Sequence, residues 1–361
     1  MANDKVSLET IRQELAAAGD PWEAGVTSMS VLSPAQQRAR LGVTPPPGTP
    51  DPATMPRAAQ APAASVGAPA SFFWGTPANN NWVTAVRDQS FCGSCVSFGT
   101  TAVVETMTRI NRGNPSLDVD LSEAQLFFCH GPATGASCGG GWWPVNAFDA
   151  YQSQGVADEA CFPYDPGATA CAACSDWAGR ATKITGHTDL TNNAAAIKDW
   201  ISTRGPVSAC FYVYDDFFSY RSGVYRHVTG DLAGGHCVMI AGYDDAGGYW
   251  LCKNSWGPGW GDQGWFAIAY GDSFIDSWNV MGANGIENTG WRSNARVIGL
   301  WAINEDRNAW VYMDGYGWRK VSPDNDNILH DMLAQLIAAK ARGGAVTFYE
   351  EQGVIKQLYA F

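Results

Sequence analysis

Gln89-Ser90-Phe91-Cys92-Gly93-Ser94-Cys95 sets a tight Gly-Ser turn between two cysteines, and a helical pattern follows at once. From Val96 to Arg112 the apolar residues Phe98, Ala102, Val103, Met107 and Ile110 recur every three or four positions. That is one buried helical face, and Gly113 stops it. Cys95 therefore stands at a helix N-terminus, where free N–H groups and the helix dipole favour negative charge and lower a thiol's pKa. The thiolate is the nucleophilic form of cysteine. Gln89, six residues upstream, brings a side-chain amide to the same place. Taken alone, the C-x-x-C spacing also suits half of a zinc site, a redox pair or a structural disulfide.

Two later blocks narrow the choice. Gly235-His236-Cys237-Val238-Met239-Ile240 puts a histidine at the mouth of an apolar strand. Trp250-Leu251-Cys252-Lys253-Asn254 is a second strand ending in asparagine, followed by the Gly/Trp-rich turn Ser255-Trp256-Gly257-Pro258-Gly259-Trp260-Gly261. Together, in the order Cys, His, Asn, the three blocks resemble the papain-like cysteine proteases, the cathepsin family, over about residues 71–285. The resemblance implies an α+β, two-lobed fold: a helical lobe first, a β-sheet lobe second, and a peptide-binding cleft between them. It also implies a cysteine endopeptidase acting on peptide or protein substrates, with no cofactor and no metal.

The implied roles carry over residue by residue. Cys95 supplies the thiolate and His236 the proton carrier. Asn254 holds the imidazole, and Trp256 shields that bond from water. Gln89 and the Cys95 N–H form the oxyanion hole, where one donor is typically worth about 10²–10³ in rate. Cys138-Gly139-Gly140-Gly141-Trp142-Trp143 leaves bare backbone on which an extended peptide can lie. The resemblance places Gly140 and Gly141 on that substrate strand. It places Trp142, Trp143, Cys210, Gly234 and Cys237 around an apolar S2 pocket, with Trp278 at its base. It also pairs Cys92 with Cys138 and Cys129 with Cys171; Cys161 and Cys174, left nearby, are a third pair. Cys210, Cys237 and Cys252 sit among apolar strand residues and read as buried free thiols. Val96 stands where the family usually has an aromatic residue.

Composition sets outer limits. At 46% apolar and 16% charged residues the 361-residue chain reads as a globule, and a net charge of −12 argues against a nucleic-acid surface. No run of 18 apolar residues exists to span a membrane. Ten cysteines point to secretion or another oxidising compartment, although Met1-Ala2-Asn3-Asp4-Lys5 lacks a secretion signal's apolar core.

Both ends lie outside the resemblance. Residues 1–70 hold a short helix from Ser7 to Ala18, a stickier stretch from Trp22 to Leu41, and a link (44–70) with eight prolines. By position this segment is a propeptide, the chain's own intramolecular inhibitor, short for the family and suggestive of a bacterial-type member. Residues 71–288 form the protease-like domain. Residues 291–361 read as a small ββαββ module, with strands at Val297–Ala302 and Ala309–Met313 and a turn at Gly315-Tyr316-Gly317-Trp318. Its helix, Asn327–Arg342, carries Ile328, Met332, Leu336 and Ile337 on its apolar face, and a closing hairpin follows. Trp310, Tyr312, Tyr316 and Trp318 either form the core of this module or meet a glycan or protein partner. Two other functions fit the same residues: a catalytically silent binding protein with a permanently filled groove, and a transpeptidase or ligase using the same acyl-enzyme.

Overall fold

A computed structural model describes residues 5–54, 67–79, 81–167, 170–287, 289–351 and 353–360. Residues 55–66 of the Pro-rich link, and Met1 to Asp4, lie outside these described residues.

Helix α1 (Leu8–Ala17) begins where Ser7 accepts the Thr10 N–H, and it buries Ile11 and Leu15. Strand β1 (Trp22–Ala24) follows, then α2 (Pro34–Arg38), started by a capping box between Ser33 and Gln36. After the link comes β2 (Ser71–Phe73), then the central helix α3 (Cys95–Asn111). The sequence pattern marks one buried face on α3, yet Cys95 through Thr108 is buried on every side. The reason is that α3 packs both on the sheet and on α4 (Pro144–Ser153). Several of its buried hydroxyls are satisfied: Thr106 and Thr108 donate to carbonyls one turn back, and Thr101 meets the Tyr151 hydroxyl. After Leu121 comes a π-helical turn, Gln125–His130. A four-residue helix α5 (Trp177–Arg180) completes the helical lobe.

The second lobe adds β3 (His187–Asp189), α6 (Ala194–Thr203), β4 (Val207–Tyr214), β5 (Tyr220–Tyr225), β6 (Leu232–Asp244), β7 (Tyr249–Lys253), β8 (Trp265–Ala269) and β9 (Asn279–Ala283). They join one sheet in the order β1-β5-β8-β7-β6-β4-β9-β3, with β2 also on β6. Thus β1, from the N-terminal segment, extends the sheet beside β5. Trp22 fills an aromatic slot between Tyr220 and Tyr225 and donates to the Arg226 carbonyl at 2.8 Å. Ile11, Leu15 and Met29 join the same core, each worth about 1.5–3 kcal/mol when fully buried.

The C-terminal module holds one strand more than the sequence pattern suggests. Strands β10 (Gly290–Ala302), β11 (Ala309–Met313) and β12 (Gly317–Val321) precede α7 (Asp326–Arg342), and β13 (Ala345–Glu351) and β14 (Val354–Ala360) follow it. They close as a barrel, β10-β11-β12-β14-β13. Gly317 and Trp318 therefore open a strand rather than end a turn; with Gly315 and Gly317 both at positive φ, the reversal is complete within three residues. On α7 the buried residues are Leu329, Met332, Leu336 and Ala339, whereas Ile328 and Ile337 face solvent. Tyr312 accepts a hydrogen bond from Asn114 at 3.0 Å, Trp310 and Tyr316 are half-buried, and Trp318 is exposed. Tyr316 packs edge-on to Phe348 against the barrel core, which is built from Val297, Val311, Met313, Leu336 and Phe348, whereas Trp310, Tyr312 and Trp318 lie outside that core. The barrel docks on the far end of α3, where Arg112 reaches the buried Glu350 already paired with Arg292 and Arg319.

Candidate active site

Ser94 does not cap α3; its hydroxyl meets the Tyr164 hydroxyl at 2.7 Å instead. The first N–H groups of the helix therefore stay available at Cys95, and the Val96 N–H lies against the sulfur. So do the N–H groups of Cys237 and Gly42. The Cys237 contact brings α3 and β6 together at the positions holding Cys95 and His236. His236 Nε2 donates to Asn254 Oδ1 at 2.8 Å, and its Nδ1 has no hydrogen-bond partner among the described residues. Trp256 lies tilted over the imidazole, 4.7 Å between ring centres. Gln89 is locked by Ser255, whose hydroxyl donates to Oε1 at 2.7 Å. All four polar or sulfur side chains are sealed: Cys95, His236 and Gln89 are 0% exposed and Asn254 2%. Burial drives both partners to their uncharged forms. It pushes the Cys95 thiol far above its usual range, against the three N–H groups, and lowers His236 to about 4, against the Asn254 bond.

The seal is the N-terminal segment. Gln89 Nε2 donates to the Arg40 carbonyl at 2.9 Å, and Arg40 pairs with Asp88 at 2.8 Å. The Gly42 and Val43 N–H groups donate to the Gly235 carbonyl at 3.0 and 3.2 Å. Trp142 N–H donates to the Gly42 carbonyl at 2.8 Å, and Thr44 N–H to the Trp142 carbonyl at 3.0 Å, a parallel bridge. Thr44 also donates its hydroxyl to the Gly140 carbonyl. Gly42 is pinched between backbones: a Cβ on it would lie 1.9 Å from the Gly93 oxygen, and one on Gly141 would lie 2.3 Å from the Gly42 oxygen. Val43 is buried in the cluster that contains Trp142, Trp143, Cys210, Cys237 and Trp278. Leu41 covers Gly234.

Of the residues singled out from the sequence, Gly140, Gly141 and Gly234 touch residues 41–44, and Trp142, Trp143, Cys210, Cys237 and Trp278 share the cluster of Val43; Gly42 and Val43 themselves are not among them. The sequence reading ends the sticky stretch at Leu41 and starts the link at 44; Gly42 and Val43 fall between. Their one signal is the triplet Leu41-Gly42-Val43 just before the first prolines of the link. Cys92–Cys138 ties the Cys95 loop to the glycine strand, Cys129–Cys171 and Cys161–Cys174 staple the helical lobe, and Cys210, Cys237 and Cys252 are free and buried. Three disulfides fit an oxidising compartment, and among the described residues no helix is long and apolar enough to cross a membrane. Three of the other four histidines have partners of their own, His130 the Gly155 carbonyl, His187 Asp149 and His227 Asp216.

The chain is similar to known proteins over its central part. Residues 68–288 match the pattern of "Papain family cysteine protease". A "Gut-specific cysteine proteinase" of Caenorhabditis elegans is 34% identical over 215 residues, covering 53% of this chain and 65% of that protein. A "Cathepsin L-like proteinase" of Fasciola hepatica is 34% identical over 194 residues, covering 53% and 58%. The chain thus spans somewhat less than two thirds of the relatives' length. Among solved structures, "proCathepsin B S9 from Trypanosoma congolense" superposes with a TM-score of 0.65 at 25% identity, over 78% of this chain and 99% of that one. A digestive procathepsin L2 proteinase of Tenebrio molitor gives 0.61 at 29%, over 76% and 89%. These relatives are eukaryotic, so they lend nothing to a bacterial-type reading. The chain belongs to the papain family of cysteine proteases.

Proposed function

We propose that the chain is a cysteine endopeptidase held as a zymogen by its own residues 5–54. Cys95 is the nucleophile, His236 the proton carrier, Asn254 the imidazole's anchor and Gln89 the oxyanion donor. The Cys95 thiolate attacks the scissile carbonyl carbon, and the oxyanion is met by Gln89 Nε2 and the Cys95 N–H. Protonated His236 gives its proton to the leaving amine. Water then attacks the thioester and releases the acid, restoring the thiol.

The observation that carries the zymogen reading is the direction of the segment in the cleft. An acyl-enzyme keeps the residues that precede the cut bond, so the residue in S2 comes before the scissile carbonyl. Here the pocket residue, Val43, comes three positions after Arg40, whose carbonyl receives the Gln89 amide. The segment runs opposite to the direction of a substrate, so it fills the cleft without presenting a peptide bond as a substrate does. The residues around Val43 are apolar and uncharged, which supports an apolar S2 preference. Hydrolysis of a fluorogenic peptide library by the full-length chain, before and after limited proteolysis, tests this. Activity that appears on cleavage and favours small apolar S2 residues is expected; a profile led by basic residues there, or silence in every sample, would sink it.

Opening the cleft also has a proton balance. Closed, the wild-type chain holds a thiol and a neutral imidazole; open, the thiol proton moves to His236, with no net uptake. Cys95→Ala removes that internal donor. His236 at about 4 when closed then returns toward its ordinary 6.5 when open, so the open state binds more protons between these values. The closed state's advantage is complete above about 6.5 and is lost as pH falls toward 4. Hydrogen exchange at Gly42 and Val43, corrected for intrinsic rates, should rise by up to ~10² more in Cys95→Ala than in wild type across that window. Equal slopes in the two chains would refute the assignment of a buried neutral His236.

A further inference from the structure

Asn254 serves His236 through one atom. Oδ1 accepts from His236 Nε2 and, at 2.7 Å, from the Ser255 N–H. A carboxamide is nearly symmetric in shape, so only hydrogen bonds keep it from turning over. A reversed amide would aim N–H donors at the imidazole and repel its protonated form. Nδ2, the atom that must resist this, is buried and has no partner among the described residues.

Beside Asn254 lies a cavity of about 10 Å³, lined also by Arg87, Glu105, Glu123, Lys253 and Ser255. That is about the room one water needs, and a buried water needs two to four polar partners. Arg87 Nε, from the same wall, is likewise buried without a partner among the described residues. Glu105 is committed on both oxygens, one to the Thr84 hydroxyl and one to the Leu121 N–H at 2.8 Å. Lys253 donates to Thr84 at 3.1 Å. Glu123, 4% exposed, lines the same wall; its carboxyl takes its own backbone N–H, which leaves lone pairs for a further donor.

We propose that the cavity holds one water, which accepts a hydrogen bond from Asn254 Nδ2 and donates one to a Glu123 carboxyl oxygen. Glu123 is then a positioning residue: it acts on His236 only by keeping the Asn254 amide turned the right way. The inference rests on the reading of Asn254 as the imidazole's anchor. Burial, with Glu105, Glu159 and Asp120 nearby, holds the Glu123 carboxyl well above the usual carboxylate range; the protonated group still accepts through its carbonyl oxygen. Lys253, lowered to about 8 by burial against the pull of Glu105 and Glu123, and Arg87 complete the charged surroundings.

A double-mutant cycle on the full-length protein, activated by limited proteolysis, tests this. Glu123→Met is expected to lower kcat about tenfold with KM unchanged, to shift the acid limb of the pH–rate profile, and to be rescued largely by Glu123→Gln. In an Asn254→Ala background it should add nothing. If the two losses multiply, Glu123 does not act through Asn254 and this inference falls alone. If Asn254→Ala leaves kcat unchanged, the anchoring reading falls and takes the inference with it. Should Glu123→Met fail to fold, a crystal structure of the unaltered chain decides. A water within about 3.2 Å of both Asn254 Nδ2 and Glu123 supports the proposal, and a dry cavity overturns it.

Discussion

Cys95→Ala is expected to abolish the thioester route of peptide hydrolysis by the activated chain while leaving the fold intact. The change deletes one buried sulfur from the start of α3 and touches none of the disulfides, since Cys95 is free. The thioester route needs a covalent nucleophile, and the other free thiols, Cys210, Cys237 and Cys252, cannot take its place. None stands at a helix N-terminus: all three lie within strands and are fully buried. Burial pushes Cys210 and Cys252 far above the usual thiol range. The checks are turnover of a fluorogenic dipeptide in reducing buffer, labelling by a thiol-reactive epoxide, and thermal unfolding as a control. Hydrolysis or labelling that persists in a folded Cys95→Ala chain would remove Cys95 from the mechanism.

Gly42→Val is expected to make the uncut, full-length chain active. A side chain at position 42 would enter the Gly93 backbone, with the Gly42 Cβ 1.9 Å from its oxygen, 2.4 Å from its carbonyl carbon and 2.7 Å from its Cα. Neither wall can yield cheaply, because Cys92–Cys138 ties the residue before Gly93 to the glycine strand. The segment must lift, losing the backbone bonds of residues 42–44, each worth about 0.5–1.5 kcal/mol, and the burial of Val43, about 1.5–3 kcal/mol. The sum, on the order of 5 kcal/mol, corresponds to more than 10³-fold in cleft occupancy. The chain still folds, because Ile11, Leu15 and Trp22 remain anchored on the sheet lobe, remote from the pinch. Initial rates, taken before any cleavage is visible on a gel, read the effect. A Gly42→Val chain as silent as wild type, yet active once cut, would show that the pinch at Gly42 does not hold the segment.

What the sequence determined by itself was local or relied on short, recognisable blocks. The turn before Cys95, the α3 periodicity, the Ser7 cap and the Gly113 stop act within a few residues, where backbone sterics and hydrogen bonds decide the conformation. The blocks around Cys95, His236 and Asn254, through their resemblance to the papain-like proteases, also pointed to the two lobes and their cleft. Tertiary structure decided what depends on distant segments meeting. Nothing near Leu41-Gly42-Val43 reveals that Gly93 and Gly141 close on Gly42, or that Gly235 offers it an acceptor; those partners lie 51, 99 and 193 positions away. The same holds for Trp22 in its slot beside Tyr225, for the third strand of the barrel, and for Ile328 and Ile337 facing solvent. The cavity beside Asn254 exists because Arg87, Glu105, Glu123 and Lys253 converge from four separate segments. Periodicity shows which face of an element is apolar; only the packed chain shows which surface that face meets, and what room is left between them.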